Sequence, residues 1–335
     1  MKKIDAPVDK TGNTPAVVFE TVDENAASQR IDNFLLSRLK GVPKSHVYQI
    51  LSSGQVRVNK KRVEAAYRLQ IDDLVRIPPV RVSAKAPASR IRIPENTALL
   101  PLILFEDDSL IALNKPSGLA VHGGSGVSLG AIELLRRESP QLKFLELVHR
   151  LDRETSGILL VAKKRTALLG MHAMLRSGAK DGRIEKHYLA LVKGEWKNER
   201  QHVKARLQKF RTASGERRVA VDYDGQEAHT VFKLVKCFPG ASLLDAEIKT
   251  GRTHQIRVHL SHVGFPILGD DKYGDFAWNK QLQKRGLKRM FLHAHRLAFD
   301  HPVSGERIDI HCPLPAELES YLETLAAPRS GFNVI

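Results

Sequence analysis

Between Val80 and Thr97 the chain is built mostly of Ser, Ala, Pro, Lys and Arg, with no sustained apolar period. A segment that cannot present an apolar face cannot join a core, so it separates whatever folds on either side of it. At 335 residues the chain is long enough for more than one domain. The expected order is a flexible polar tail (1–24), a small unit (25–80), a linker (81–98), a large unit (99–326) and a short C-terminal tail (327–335).

In the small unit, Ile31, Phe34, Leu35 and Leu39 recur at helical spacing after Arg30. A second short helix is predicted from Ser45, taken as its N-cap, through Val47, Ile50 and Leu51 to Gly54. Val56-Arg57-Val58 then alternates like a strand and turns at Asn59-Lys60, with Lys61 and Arg62 following. A further strand, Asp73 to Ile77, stops at Pro78-Pro79. The result is a small α/β module with one apolar face and one cationic face.

Beyond Leu99 the apolar residues fall into many short strand-like runs: Leu102–Glu106, Leu110–Asn114, Gly157–Ala162, Tyr188–Val192, Thr230–Lys236 and Leu243–Lys249. Helices are predicted over Ser128–Glu138, Thr166–Ser177 and Thr253–Val263. The last of these also alternates like a strand. A helix is preferred because Thr253 can cap it, Ile256, Leu260 and Val263 share a face, and Gly264 can end it. This order predicts an α+β domain on a mixed, mainly antiparallel sheet.

Lysine and arginine outnumber aspartate and glutamate by 53 to 37, a net charge of +16, which favours a polyanionic partner. An anionic membrane fits less well than nucleic acid. No apolar run approaches the roughly 18 residues of a membrane span, and the longest, Ala98–Phe105, contains Pro101. The first twenty residues lack the apolar centre of a secretory signal, so a cytoplasmic location is expected. Cys237 and Cys312 are far apart and lack Cys-x-x-Cys spacing, which reads as two core thiols rather than a disulfide framework or iron–sulfur site. No heptad or apolar stripe suggests a partner helix, so a monomer is expected.

Several segments could carry chemistry. Gly124-x-Gly126-x-x-x-Gly130 misses the dinucleotide fingerprint and no Gly-Lys-Ser/Thr follows, which argues against nucleotide hydrolysis and hydride transfer and leaves a flexible loop beside a substrate. His254, His259 and His262 match no zinc-ligand spacing and read as structural or RNA-facing, so no metal is expected. The basic hairpin Arg57–Arg62 is either a solvated surface or an RNA contact, and RNA is favoured because the cations sit on a separate small module.

The sharpest feature is Leu147-Val-His-Arg-Leu-Asp-Arg-Glu-Thr-Ser-Gly157, running into Ile158–Ala162. Asp152 stands among His149, Arg150 and Arg153 just before a strand that reads as buried. It is either a turn acid neutralised by its neighbours or a working carboxylate. A second cluster, Lys249-Thr-Gly-Arg252-Thr-His-Gln-Ile-Arg257, offers Arg252 as a partner that would keep Asp152 ionised and oriented. Tyr188, opening a strand in Lys186-His-Tyr188, could cover a flat base and carry a proton.

Taken together, His149–Gly157, Leu113-Asn-Lys-Pro-Ser-Gly-Leu119, Lys186-x-Tyr188 and Thr250-Gly-Arg-Thr-His-Gln-Ile-Arg257 resemble, in order, the motifs of the RluA family of pseudouridine synthases. Arg30-Ile-Asp-Asn-Phe34 and Gly54-Gln-Val-Arg-Val-Asn59 resemble an S4 RNA-binding domain, with Ile71-Asp72 standing where S4 domains often carry Gly-Asp. The wording at Lys40–Ser45, Val58–Arg62 and Val121–Gly126 is most similar to members that act on 23S rRNA of the large subunit.

The resemblance implies Asp152 as the catalytic aspartate, Tyr188 as the base-stacking tyrosine, Arg252 as the arginine paired with the aspartate, and Arg150 as the residue filling the space left by a flipped uridine. It implies an isomerisation in which uracil leaves C1′, turns while bound and rejoins through C5, with no cofactor or metal. Lys44, Arg57, Lys60, Lys61 and Arg62 are the expected RNA contacts of the S4 module, and 23S rRNA or its precursor the expected partner. Whether Asp152 attacks C1′, adds at C6 or removes a sugar proton stays open. Paralogous synthases with other target uridines and a non-catalytic rRNA-binding factor are the competing readings. A sugar hydrolase would need a second carboxylate, for which Glu154 is nearest in sequence.

Overall fold

The computed structural model describes residues 16–24, 26–39, 42–80, 98–123, 129–177, 182–213 and 215–326. The chain divides into two compact units, Met1–Ala88 and Ser89–Ile335. The glycine-rich segment 124–128, nearly all of the expected linker and the C-terminal tail lie outside the described residues.

In the first unit, β1 (Val18–Thr21), β2 (Arg57–Val58) and β3 (Leu74–Ile77) form an antiparallel sheet in the order β1-β3-β2. Helices α1 (Ile31–Arg38) and α2 (Lys44–Ser52) pack with it through Ile31, Phe34, Leu35, Val47, Ile50 and Val75. Part of the expected tail is therefore structured. Val18–Thr21 pairs with β3 although Phe19 is exposed, because main-chain hydrogen bonds at a sheet edge need no apolar pattern.

The cap of α2 also differs from expectation. Pro43 occupies the N-cap, Ser45 falls inside the first turn, and no side chain caps the helix. Proline keeps φ near −65°, which fits the extended backbone of an N-cap (φ −59° and ψ 141° here), so it can precede a helix without a hydroxyl. The turn Asn59-Lys60 is tight, with both residues at positive φ (50° and 68°) and Lys61 N–H donating to Val58 O at 2.9 Å. Asp73 is buried beside it and accepts from Asn59 Nδ2, Tyr67 Oη and Gln70 N–H.

The second unit is built on an eleven-stranded sheet. In chain order its elements are β4 (Ile103–Glu106), β5 (Leu110–Lys115), α3 (Ala131–Glu138), β6 (Glu146–Leu147), β7 (Ser156–Ala162), α4 (Arg165–Ser177) and β8 (Ile184–Lys193). Then follow β9 (Arg200–Arg211), β10 (Arg217–Val221), β11 (Gln226–Phe238), β12 (Ala241–Ile248), α5 (Gln255–His262), α6 (Phe276–Lys284), β13 (Leu292–Asp300), β14 (Arg307–His311) and α7 (Ala316–Ala326). The strand order is β10-β9-β11-β12-β8-β13-β7-β5-β4, with β14 on β13 and β6 on β7. Only β13 and β7 run parallel, so the sheet is mixed and mainly antiparallel.

Every residue of β7 is buried, as suits a strand in the middle of a sheet covered on both sides. Its pairing with β13 covers only Ser156–Gly157 against His293–Ala294. Gly157 makes that crossing possible: its φ is +105°, and a Cβ there would lie 2.2 Å from Ala294 O. One apolar cluster joins Ile132 and Leu135 of α3 and Ile256 and Leu260 of α5 to Leu159, Tyr188, Ala190 and Ala246 of the sheet. Two others seat α4 on β7 and β13, and α6 and α7 on β8 and β12.

The two cysteines differ from expectation in one respect. Cys312 is buried, whereas Cys237 is exposed near the end of β11. Cys237 follows the register irregularity at Leu234–Lys236 of β11 and ends an exposed run, Val235–Cys237, next to buried Phe238.

Candidate active site

Asp152 lies in the loop between β6 and β7, where Thr155 N–H bonds back to its carbonyl. That loop is held from three directions. His149 Nε2 accepts from Leu160 N–H of β7 at 3.1 Å, which requires a neutral ring; burial, aided by the charge of Lys186, lowers its pKa to about 4. Buried Lys115, in the Leu113–Leu119 motif, donates its three ammonium protons to Pro116 O, Leu119 O and Arg153 O at 2.9, 2.8 and 3.1 Å. Burial pulls Lys115 down to about 7, but three carbonyl acceptors match the charged form, so we assign an ammonium there. Finally Ser117 Oγ and Gly118 N–H reach Glu154 O and Arg153 O. His149 and Arg153, the sequence neighbours of Asp152, thus hold the loop through a ring nitrogen and a main-chain oxygen.

The arginine at Asp152 is not the expected one. Arg257 Nη1 stands 3.3 Å from Asp152 Oδ2, while Arg252 Nε donates to Glu227 O at 3.0 Å and its side chain is exposed. The cause is the start of α5. The helix begins at Gln255, with His254 rather than Thr253 at its N-cap, so Arg257 sits in the first turn facing the interior and Arg252 stays in the preceding loop. Thr253 Oγ1 instead accepts from Arg150 Nη2 at 3.0 Å.

Buried Arg257 is itself clamped. Its Nε and Nη2 donate to Asp270 at 2.7 and 2.6 Å, and Lys272 N–H and Tyr273 N–H complete the Asp270 carboxylate. Burial alone would raise the pKa of Asp270, but the arginine and the main-chain donors overcome it and keep the group ionised. Neither Arg257 nor Asp270 was singled out from sequence; the available signal was Asp270-Asp271 after Gly269, an acidic pair in a turn.

A cavity of about 440 Å³ opens over Asp152, lined by Arg150, Lys186, Tyr188, Arg252, His254 and Arg257 among others, a size in the range of small-ligand sites. Tyr188 is buried; burial, and then the charge of Asp152, hold its hydroxyl protonated. It offers an aromatic surface and a donor, not a base. Lys186 is half-buried, and burial lowers it to about 8. Glu154, the acid nearest in sequence, lines a separate hollow with Arg289 rather than this cavity, and Asp270, which shares Arg257 with Asp152, is fully buried and spent on the guanidinium and two main-chain N–H groups.

The remaining expected residues lie elsewhere. His259 is buried with Nδ1 on Thr230 Oγ1 at 2.9 Å, a structural role, and His262 is exposed. Lys44, Arg57, Lys60, Lys61 and Arg62 are all exposed on the first unit. Arg57 and Arg62 spend part of their bonding on Gly54 O and Ser53 O, which fixes their direction. Among the described residues one His/Asp group has the composition of a metal site, His187, Asp245 and His295. Both rings hydrogen-bond the Asp245 carboxylate, and His187 faces the opposite side of β8 from Tyr188.

The family described as RNA pseudouridylate synthase matches residues 109–262, and the S4 domain matches residues 29–75. Ribosomal large subunit pseudouridine synthase C of Pasteurella multocida is 51% identical over 318 residues, covering 94% of this chain and 96% of that protein. The protein of the same name from Escherichia coli K12 is 49% identical over 319 residues, covering 94% and 99%. Among solved structures, human RNA Pseudouridylate Synthase Domain Containing 4 aligns with a TM-score of 0.56 and 26% identity, over 68% of this chain and 94% of that one. Half-identity across almost the entire length, with the motif residues gathered round one cavity, makes this chain a member of the RNA pseudouridylate synthase family that carries an S4 domain.

Proposed function

We propose that this protein converts uridines of 23S rRNA to pseudouridine, with Asp152 as the catalytic carboxylate. The observation that carries the reading is the Asp152 carboxylate, met by buried Arg257 at 3.3 Å, in a cavity that Tyr188, Arg150 and Lys186 also line. In the reaction the N1–C1′ bond breaks, uracil turns within the cavity, the C5–C1′ bond forms, and the proton lost from C5 is balanced by one gained at N1. Arg257 keeps Asp152 ionised and aimed whichever atom it meets first. Tyr188 stacks on the turning base.

Reaching a buried acid requires the uridine to leave its stack, at a cost of a few kcal/mol that loops and bulges reduce. Arg150, exposed at the cavity mouth, fills the vacated space in the RNA. Arg252, at the same rim, contacts the backbone rather than Asp152. The cations of the S4 domain, Lys44, Arg57, Lys60, Lys61 and Arg62, position the rRNA through phosphates. We place the protein in the cytoplasm as a monomer, where ribosomal RNA is its partner.

The test is a map of pseudouridines in 23S rRNA from cells lacking the protein, complemented with wild type or Asp152→Asn. Loss of defined pseudouridines, restored by wild type and not by Asp152→Asn, is expected. An unchanged map refutes the 23S assignment, and full restoration by Asp152→Asn refutes the role of Asp152.

A further inference from the structure

His254 breaks two local rules at once. It occupies the N-cap of α5 in the left-handed region, φ 54° and ψ 22°, a conformation that costs a residue with a Cβ on the order of 1 kcal/mol. The cap position favours a short side chain that accepts a helix N–H, yet the His254 ring makes no cap bond. The ring points into the cavity instead. Its Nε2 lies 3.8 Å from Asp152 Oδ2, the same oxygen that Arg257 approaches.

The partner of the other ring nitrogen is the basis on which we assign the tautomer. Nδ1 lies 2.7 Å from Tyr273 Oη, and Tyr273 Oη accepts Val219 N–H at 2.9 Å. With one lone pair used, the tyrosine proton is available for Nδ1, which places the histidine proton on Nε2, the nitrogen facing the carboxylate. The groups around the ring are Asp152 from the motif loop, Arg257 from α5, and Asp270, Lys272 and Tyr273 from the turn after β12 and α5. Burial opposes a second proton on the ring, and Arg257 and Lys272 act in the same sense against Asp152 and Asp270. Among the described residues no hydrogen bond reaches Asp152 Oδ1.

We propose that His254 is a positioning residue, a neutral Nε2–H donor that closes on Asp152 Oδ2 when the uridine fills the cavity, so that Arg257 and His254 hold one oxygen and leave Oδ1 for the substrate. The strained backbone is what aims the ring: a helical or extended residue at this position would send it away from the loop. The inference rests on Asp152 being the catalytic carboxylate.

The test uses the full chain and an unmodified 23S rRNA transcript, with single-turnover rate, RNA affinity and thermal melting measured for wild type, His254→Ala, His254→Gln and Asp152→Asn. His254→Ala is expected to slow the reaction about 10- to 100-fold, the worth of one hydrogen bond to a charge, with RNA affinity unchanged. His254→Gln, which keeps an N–H donor, recovers most of that rate. Protonating the wild-type ring puts a positive charge beside Asp152 and a proton on Nδ1 where it meets Tyr273 Oη, so the wild-type rate falls as the pH drops below the usual histidine range, and that fall is absent in His254→Gln. If His254→Ala melts early, His254→Gln decides alone. A rate for His254→Ala equal to wild type, a His254→Gln as slow as His254→Ala, or an acid fall that persists in His254→Gln overturns the proposal. Retained activity in Asp152→Asn would instead overturn the underlying reading.

Discussion

Replacing Asp270 by Asn tests whether the site is held from behind. The carboxylate is fully buried and takes Arg257 Nε and Nη2 at 2.7 and 2.6 Å, Lys272 N–H at 2.8 Å and Tyr273 N–H at 3.1 Å. The amide keeps one acceptor oxygen, but turns an N–H₂ toward donors and leaves the buried guanidinium without its full counter-charge. Breaking a buried ion pair from one side costs about 3–5 kcal/mol. For a unit of this size about 1 kcal/mol moves the melting temperature by roughly 2–4 °C, so a drop on the order of 6–20 °C is expected in a thermal melt. Asp271→Asn is the matched control. Asp271 is exposed and stands 3.4 Å from the same guanidinium, so its loss should cost no more than about 1 kcal/mol. Activity falls with Asp270→Asn even where the protein is folded, because Arg257 Nη1 is no longer aimed at Asp152. A melting shift as small as that of Asp271→Asn, with full activity, refutes the idea that Asp270 organises the site.

Four further outcomes follow from the same physics. His259 and His293 are fully buried and each is lowered by burial from 6.5 to about 4; the unfolded chain binds these protons first, so their contribution is full above about pH 6.5 and is lost progressively toward pH 4, which urea titrations across that range would detect as a fall of a few kcal/mol. Gly157→Ala, at φ +105° with a Cβ 2.2 Å from Ala294 O, should cost about 1–3 kcal/mol in strain alone and disturb the β7–β13 pairing; an unchanged melt would show the crossing to be looser than described. Under native conditions a thiol reagent should label exposed Cys237 and leave buried Cys312, whose thiol burial pushes up to about 11, until the chain is unfolded. Neutralising Arg57, Lys60, Lys61 and Arg62 together should flatten the salt dependence of RNA binding by about 3 in log–log slope while leaving the saturated rate intact; an unaltered slope removes these residues from the interface.

Much of the site was legible because its motifs are local. Arg150, Asp152, Tyr188 and the Thr250–Arg257 segment all line one cavity, as their joint occurrence suggested. The choice between Arg252 and Arg257 was not legible, since both lie in the same eight residues and the decision depends on a left-handed residue at 254 that starts α5 two positions late. Strands β9 and β10 escaped the apolar reading for a related reason. Most of their side chains are polar or cationic, with only Val203, Leu207 and Val219 buried, so main-chain pairing defines them.

Read alone, the sequence determined that the chain has two units, the α+β class with a mainly antiparallel sheet, the basic S4 module and the loop that carries Asp152. Those properties live in composition, short periods and contiguous motifs, which are local. The tertiary structure decided which cation meets Asp152, that Asp270 stands behind it, that His254 faces it, and that His149 and Lys115 tie down its loop. Arg257 and His254 meet Asp152 across about a hundred residues and Lys115 meets Arg153 across 38, while the shorter links at His149 and Asp270 depend on how turns fold back on strands and helices, which no local pattern encodes.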